Sequence, residues 1–202
     1  NTVRNLTVDG GVPQGDTPQA VPYPGKRNLV FLKGDGNVIE NVIGRRQYGV
    51  YQEGKESFGL SAWGSPTAPS RITNCEVVDV LGDYATAMQA TEIRHCIVNF
   101  PRPAKGVRAF RAAFNMGDSV NGIVEDCEAW WAMAGVYMDW KSCSGLKVKD
   151  NAFFGCDAGL WINAQQEAAP TEQRLISNLT FEGNQVWLNP QTRNVNGILL
   201  DH

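Results

Sequence analysis

A four-residue phrase of the form apolar–polar–Asn/Asp/His–Cys/Asn recurs along this chain, and a repeat constrains the fold more than any local propensity does. It reads Ile72-Thr73-Asn74-Cys75, Ile93-Arg94-His95-Cys96, Val124-Glu125-Asp126-Cys127, Val148-Lys149-Asp150-Asn151 and Phe181-Glu182-Gly183-Asn184. Ile39-Glu40-Asn41-Val42 fits the same frame. The closing residues fall at 42, 75, 96, 127, 151 and 184, spaced by 33, 21, 31, 24 and 33. The period is therefore about 21 to 24 residues, with insertions in some turns.

A second phrase lies between the first ones: Gly49-Val50-Tyr51-Gln52-Glu53, Gly135-Val136-Tyr137-Met138-Asp139, Gly159-Leu160-Trp161-Ile162-Asn163 and Gly197-Ile198-Leu199-Leu200-Asp201. Each alternates inward apolar with outward residues, the pattern of a half-buried strand. Tyr84 to Met88 and Gly106 to Phe114 are less regular versions. Two strand types in fixed order mean that each turn of chain feeds separate parallel sheets. One turn cannot bury its own apolar side, but stacked turns share a continuous core. Helical repeats are excluded because no segment carries capped helical periodicity. A hairpin-built sandwich is disfavoured, since Asn-Gly falls between apolar runs only at Asn121-Gly122 and Asn196-Gly197. The expectation is an all-β, single-stranded parallel solenoid of about seven coils, one domain over residues 1–202.

Composition sets outer limits. A net charge of −3, with no basic run longer than Arg45-Arg46, speaks against nucleic acid as a partner. The apolar stretches are a few residues long, too short for a membrane span. Glycine (21) and proline (10) suit a turn-rich chain. Both ends read as cut: Asn1 to Val8 already forms a coil, and the chain stops just after the Gly197–Asp201 strand. Excision from a longer helix is the expected origin.

The Ile-x-Asn-Asn/Cys step followed by Gly-apolar-Tyr/Trp-apolar-Asp/Asn resembles the repeat of the pectate-lyase-like superfamily of right-handed parallel β-helices. The likeness runs from Asn5-Leu6-Thr7-Val8 to Asp201. It implies a right-handed helix and a secreted or cell-surface, carbohydrate-active protein. Hydrolases, lyases, epimerases and phage tailspikes share the motif, so it identifies fold better than function. The Asn-Thr-Asp, Asp-Asp and His-Gly motifs of polygalacturonases are absent. Gly159-Leu160-Trp161-Ile162-Asn163 is similar to a strand of some β-helix glycosidases.

Stacking turns the glycine-led phrase into vertical columns. One holds Glu53, Asp139, Asn163 and Asp201; the other holds Tyr51, Tyr137, Trp161 and Leu199. Carboxylates and amides hydrogen-bond sugar hydroxyls, and aromatic rings offer apolar faces to sugar rings. Lys141 extends the polar column, and Arg111 belongs to a basic group with Arg102, Lys105 and Arg108 that suits an anionic sugar. Asp139 and Asp201 lie two coils apart, roughly 9.6 Å between Cα atoms. Inverting glycosidases hold their carboxyls about 6.5–9.5 Å apart, leaving room for a water. The expected activity is cleavage of a polysaccharide or oligosaccharide, with Asp139 and Asp201 as general acid and base. No cofactor is required. Calcium belongs to the lyase alternative, in which Lys141 or Arg111 removes the proton beside a uronate. A non-catalytic tailspike- or adhesin-like module is the rival, and it predicts a homotrimer.

Cys75, Cys96 and Cys127 occupy equivalent positions that Asn151 and Asn184 continue. Reduced thiols filling a core column are expected, because side chains in register point the same way and strain a disulfide. Cys143 and Cys156 read as turn or core residues. Trp130-Trp131 and Trp187 are expected in turns, with one ring plugging the core and another walling a groove. Trp63 is assigned to an insertion spanning Glu53–Pro69.

Overall fold

The computed structural model describes residues 1–11, 28–49, 57–65, 67–82, 84–102, 110–116, 120–139, 143–163, 176–191 and 196–201. Among these residues the chain is all-β, and every pairing between named strands is parallel. The strands stack in separate sheets, the arrangement of a parallel β-solenoid.

The largest sheet divides into two arms at the strand Val38–Arg45, which pairs along its length with Thr2–Asp9. One arm continues through Arg71–Thr73, Glu92–Arg94, Ile123–Glu125, Lys147–Lys149 and Thr180–Glu182. The other runs through Glu76–Val78, Ile97–Asn99, Glu128–Trp130, Ala152–Cys156 and Gln185–Leu188. A seven-stranded sheet faces them across the core: Val30–Leu32, Phe58–Ala62, Tyr84–Gln89, Phe110–Asn115, Ala134–Asp139, Ala158–Asn163 and Asn196–Asp201.

The corner between the two arms explains the repeated phrase. Asn5, Asn41, Asn74, His95, Asp126, Asp150 and Gly183 all have φ between 52° and 67°. That left-handed region admits glycine freely, and Asn or Asp more readily than other side chains. The third residue of the phrase is thus a bend, which corrects its reading as part of a continuous strand. The fourth residue turns inward, and Cys75, Cys96, Cys127 and Asn151 are all buried.

Asparagine and cysteine do the same work there. Asn184 Nδ2 donates to Val148 O (2.8 Å), and its Oδ1 accepts the Asn151 N–H (3.0 Å). In the thiol rungs the Sγ of Cys75 lies 3.7 Å from Ile39 O, and the Val42 N–H donates to that sulfur at 3.4 Å. Cys75, Cys96, Cys127 and Cys156 are free thiols in the core, as expected; the Cys143 side chain lies outside the described residues.

Apolar columns fill the interior: Ile39, Ile72, Ile93, Val124 and Val148 behind one arm, and Leu60, Met88, Phe114, Val136 and Leu160 behind the seven-stranded sheet. The second arm comes close behind two of these strands, which explains their glycines. A Cβ on Gly135 would lie 2.5 Å from the Phe153 ring, and one on Gly159 would lie 2.8 Å from Val186 Cγ2.

Candidate functional site

Three outer faces are available to a ligand, and their side chains differ. On the first arm, register stacks Arg4, Glu40, Thr73, Arg94, Glu125, Lys149 and Glu182. Arg94 pairs with Glu125, and Lys149 with Glu182 at 2.7 Å. Charges alternate up the column and cancel. On the second arm, Trp130, Phe154 and Trp187 stack as a ladder, with centroids 4.0 and 4.4 Å apart and planes within 18° and 10°. Trp130 and Trp187 therefore belong to strands and lie on the surface, not in turns, while Trp131 packs against the core. The ring faces within this ladder are spent on one another.

The outer face of the seven-stranded sheet is different. Corners between the arms are only two residues, such as Asn74 and Cys75. Among the described residues, 63–65 and 67–70 form a longer connection, which leaves the seven-stranded sheet after Phe58–Ala62. Its outward column is Phe31, Ser61, Gln89, Asn115, Tyr137, Trp161 and Leu199.

The sequence-derived residues fall into three groups here. Asp139, Asn163 and Asp201 are direct Cα partners on consecutive strands. The Asp139 and Asp201 side chains lie outside the described residues, as do Tyr51, Glu53 and Lys141. Gly49, however, belongs to the two-stranded pairing of Tyr48–Gly49 with Leu81–Gly82. The strand Phe58–Ala62, all five residues buried, takes that rung of the seven-stranded sheet. Gly49 thus pairs outside this sheet, residues 50–53 lie outside the described residues, and Phe58–Ala62 is core rather than insertion.

Tyr137 is 2% exposed. It joins Ala112, Met133 and Ala134 in a small apolar cluster on the outer side of the sheet, with Trp161 packed against it. The two rings meet edge to face, with centroids 5.6 Å apart and planes at 77°. Tyr137 is therefore no open platform, because an outward position is not the same as a wet one. Trp161 is half-buried, and Asn163 Nδ2 approaches the Tyr137 hydroxyl at 3.5 Å. Arg111 is also largely buried: its guanidinium lies 5.9 Å from the Phe100 ring, and Nη1 donates to Pro101 O at 3.3 Å.

Phe31, Ser61, Gln89 and Asn115 are the face residues that sequence reading missed; Trp63, expected in an insertion that could wall a site, stands beside them at the end of a strand. Gly59-Leu60-Ser61-Ala62-Trp63 has the same frame as the Gly135 and Gly159 phrases and carries the signal. Among the described residues no group of three or more His, Cys, Asp or Glu is placed to hold a metal ion, and no helix is long and apolar enough to cross a membrane. Comparison with known proteins finds no matching family model, no similar curated protein and no similar solved structure.

Proposed function

We propose that this chain is a right-handed β-helix of the pectate-lyase-like kind, about seven coils long with one strand of the seven-stranded sheet in each. It would act outside the cell or at its surface, binding and cleaving a polysaccharide or oligosaccharide on the outer face of that sheet. The observation that carries the reading is the register Asp139–Asn163–Asp201, which sets two acidic residues two rungs apart with an amide between them. Two parallel-strand steps amount to roughly 9.6 Å between Cα atoms, close to the carboxyl separation of about 6.5–9.5 Å found in inverting glycosidases. One aspartic acid would protonate the leaving oxygen, and the other would activate water on the opposite face of the sugar ring. Trp161 and Asn163 supply an apolar edge and an amide beside the pair.

The test is a polysaccharide panel assayed both for new reducing ends and for the ultraviolet absorbance of unsaturated uronates. Hydrolysis yields the first signal alone, and a lyase yields both. Asp139→Asn and Asp201→Asn should each cut the rate by about 10²-fold or more while the protein still folds. Full activity in both variants would remove the assignment. Retention of a glycan without turnover would leave a binding module, the tailspike- or adhesin-like alternative.

A further inference from the structure

Trp63 follows the buried strand Phe58–Ala62 at the end of its rung. Counting two residues beyond the outward column, it holds the position that Asp139 holds three rungs further along. Its backbone is pinned: the Trp63 N–H donates to Leu32 O at 2.9 Å, and Trp63 O accepts from Asn37 Nδ2 at 3.0 Å. Its indole N–H is tied as well, donating to Gln89 Oε1 at 2.9 Å. Phe31 meets the ring edge-on, with centroids 5.8 Å apart and planes at 62°. Even so, Trp63 is 43% exposed and Phe31 42% exposed.

These facts describe a fixed, wet aromatic corner. With the indole donor already used, the ring offers its apolar surface rather than a polar edge. Gln89 Oε1 also accepts from Ser61 Oγ at 3.2 Å, so the amide is held from two sides. Its Nε2 makes no hydrogen bond among the described residues, which leaves a positioned donor beside the ring. A pyranose has a C–H face that suits an aromatic ring and hydroxyls that accept from an amide. Trp187, 48% exposed, lacks this arrangement, because one face of its ring is occupied by Phe154.

We infer that Trp63, Gln89 and Phe31 form a sugar subsite on the same face as Asp139 and Asp201, taking a pyranose ring of a polysaccharide. The inference rests on the carbohydrate reading and extends it. The two positions are three rungs apart, about 14 Å along the stack, so only an extended glycan reaches both.

The experiment measures binding of the intact chain to soluble β-glucan, xylan, polygalacturonate and dextran by affinity electrophoresis. Wild type, Trp63→Ala, Trp63→Phe, Gln89→Leu and Trp187→Ala are compared. Trp63→Ala should weaken binding about tenfold, with Trp63→Phe recovering part of it, Gln89→Leu weakened and Trp187→Ala unchanged. Circular dichroism melting identifies any variant that misfolds, and the remaining members of the series then decide. Wild-type binding that survives both Trp63→Ala and Gln89→Leu overturns the subsite while leaving the carbohydrate reading intact. Failure of wild type to retain any of the polysaccharides defeats the carbohydrate reading, and the subsite with it.

Discussion

The side chain of Asn151 accepts the backbone N–H of Cys127 at 2.9 Å and donates to Val124 O at 3.0 Å, joining two rungs inside the core. Both backbone groups lose their partner if the amide is removed. Each buried group left unsatisfied costs about 1–3 kcal/mol. Asn151→Leu should therefore destabilise the protein by about 2–5 kcal/mol in urea unfolding. Cys127→Asn extends the ladder by one rung and should cost far less. Equal losses for the two variants would refute the equivalence of thiol and amide in this column.

Asn74 bends the chain at φ 53°, and its side chain is exposed. Asn74→Val puts a β-branched residue into the left-handed region and should lower stability by about 1–3 kcal/mol. Asn74→Gly relieves the same strain and should stay within about 0.5 kcal/mol of the parent. Denaturant midpoints of the pair provide the check. A harmless valine would mean that the corner is not what selects the residue.

Burial holds the Cys156 thiol up to about 12 and raises that of Cys96 well above the ordinary range. An unfolded cysteine ionises near about 8.5. A group with a raised folded pKa contributes stability that is complete below the unfolded value and declines as pH rises toward the folded one. Stability should therefore fall between pH about 8.5 and, for Cys156, about 12. Urea midpoints at pH about 7 and about 10, for wild type and Cys156→Ala, test this. The variant should lose less stability than wild type between the two; an identical decline would contradict the assignment.

Tyr137→Ala should behave as a core truncation, costing about 3–5 kcal/mol by analogy with other large aromatics. Tyr137→Phe keeps the packed ring while removing the hydroxyl that meets Asn163 at 3.5 Å, and should cost about 1 kcal/mol or less. A sugar platform would give the reverse outcome, with glycan binding lost and the melting temperature kept. Thermal melts and affinity electrophoresis on the same samples separate the two.

The parts of the fold that could be read from sequence are those fixed by neighbours one period away. The Cys/Asn column is legible because each rung needs a small polar group to bridge the next, whereas the Asn/Asp/His/Gly position recurs in the sequence but shows itself as a bend only in its left-handed backbone angles. Rung membership was harder to read. Gly49-Val50-Tyr51 and Gly59-Leu60-Ser61 have the same local pattern, and only pairing with Val30–Leu32 and Tyr84–Gln89 selects the second for the seven-stranded sheet. Phe154 could not be recognised as a ladder member until its neighbours were known to be Trp130 and Trp187.

By itself, the sequence determined that the chain stacks and which residues face inward, because those properties follow from period and alternation; where it bends was decided by the backbone angles of the folded chain. The tertiary structure alone decided which outward residues meet water. Tyr137 and Trp63 both lie on the outer side of one sheet, yet one is dry and the other exposed. Exposure depends on what the rest of the chain lays over a position, and no local pattern encodes that.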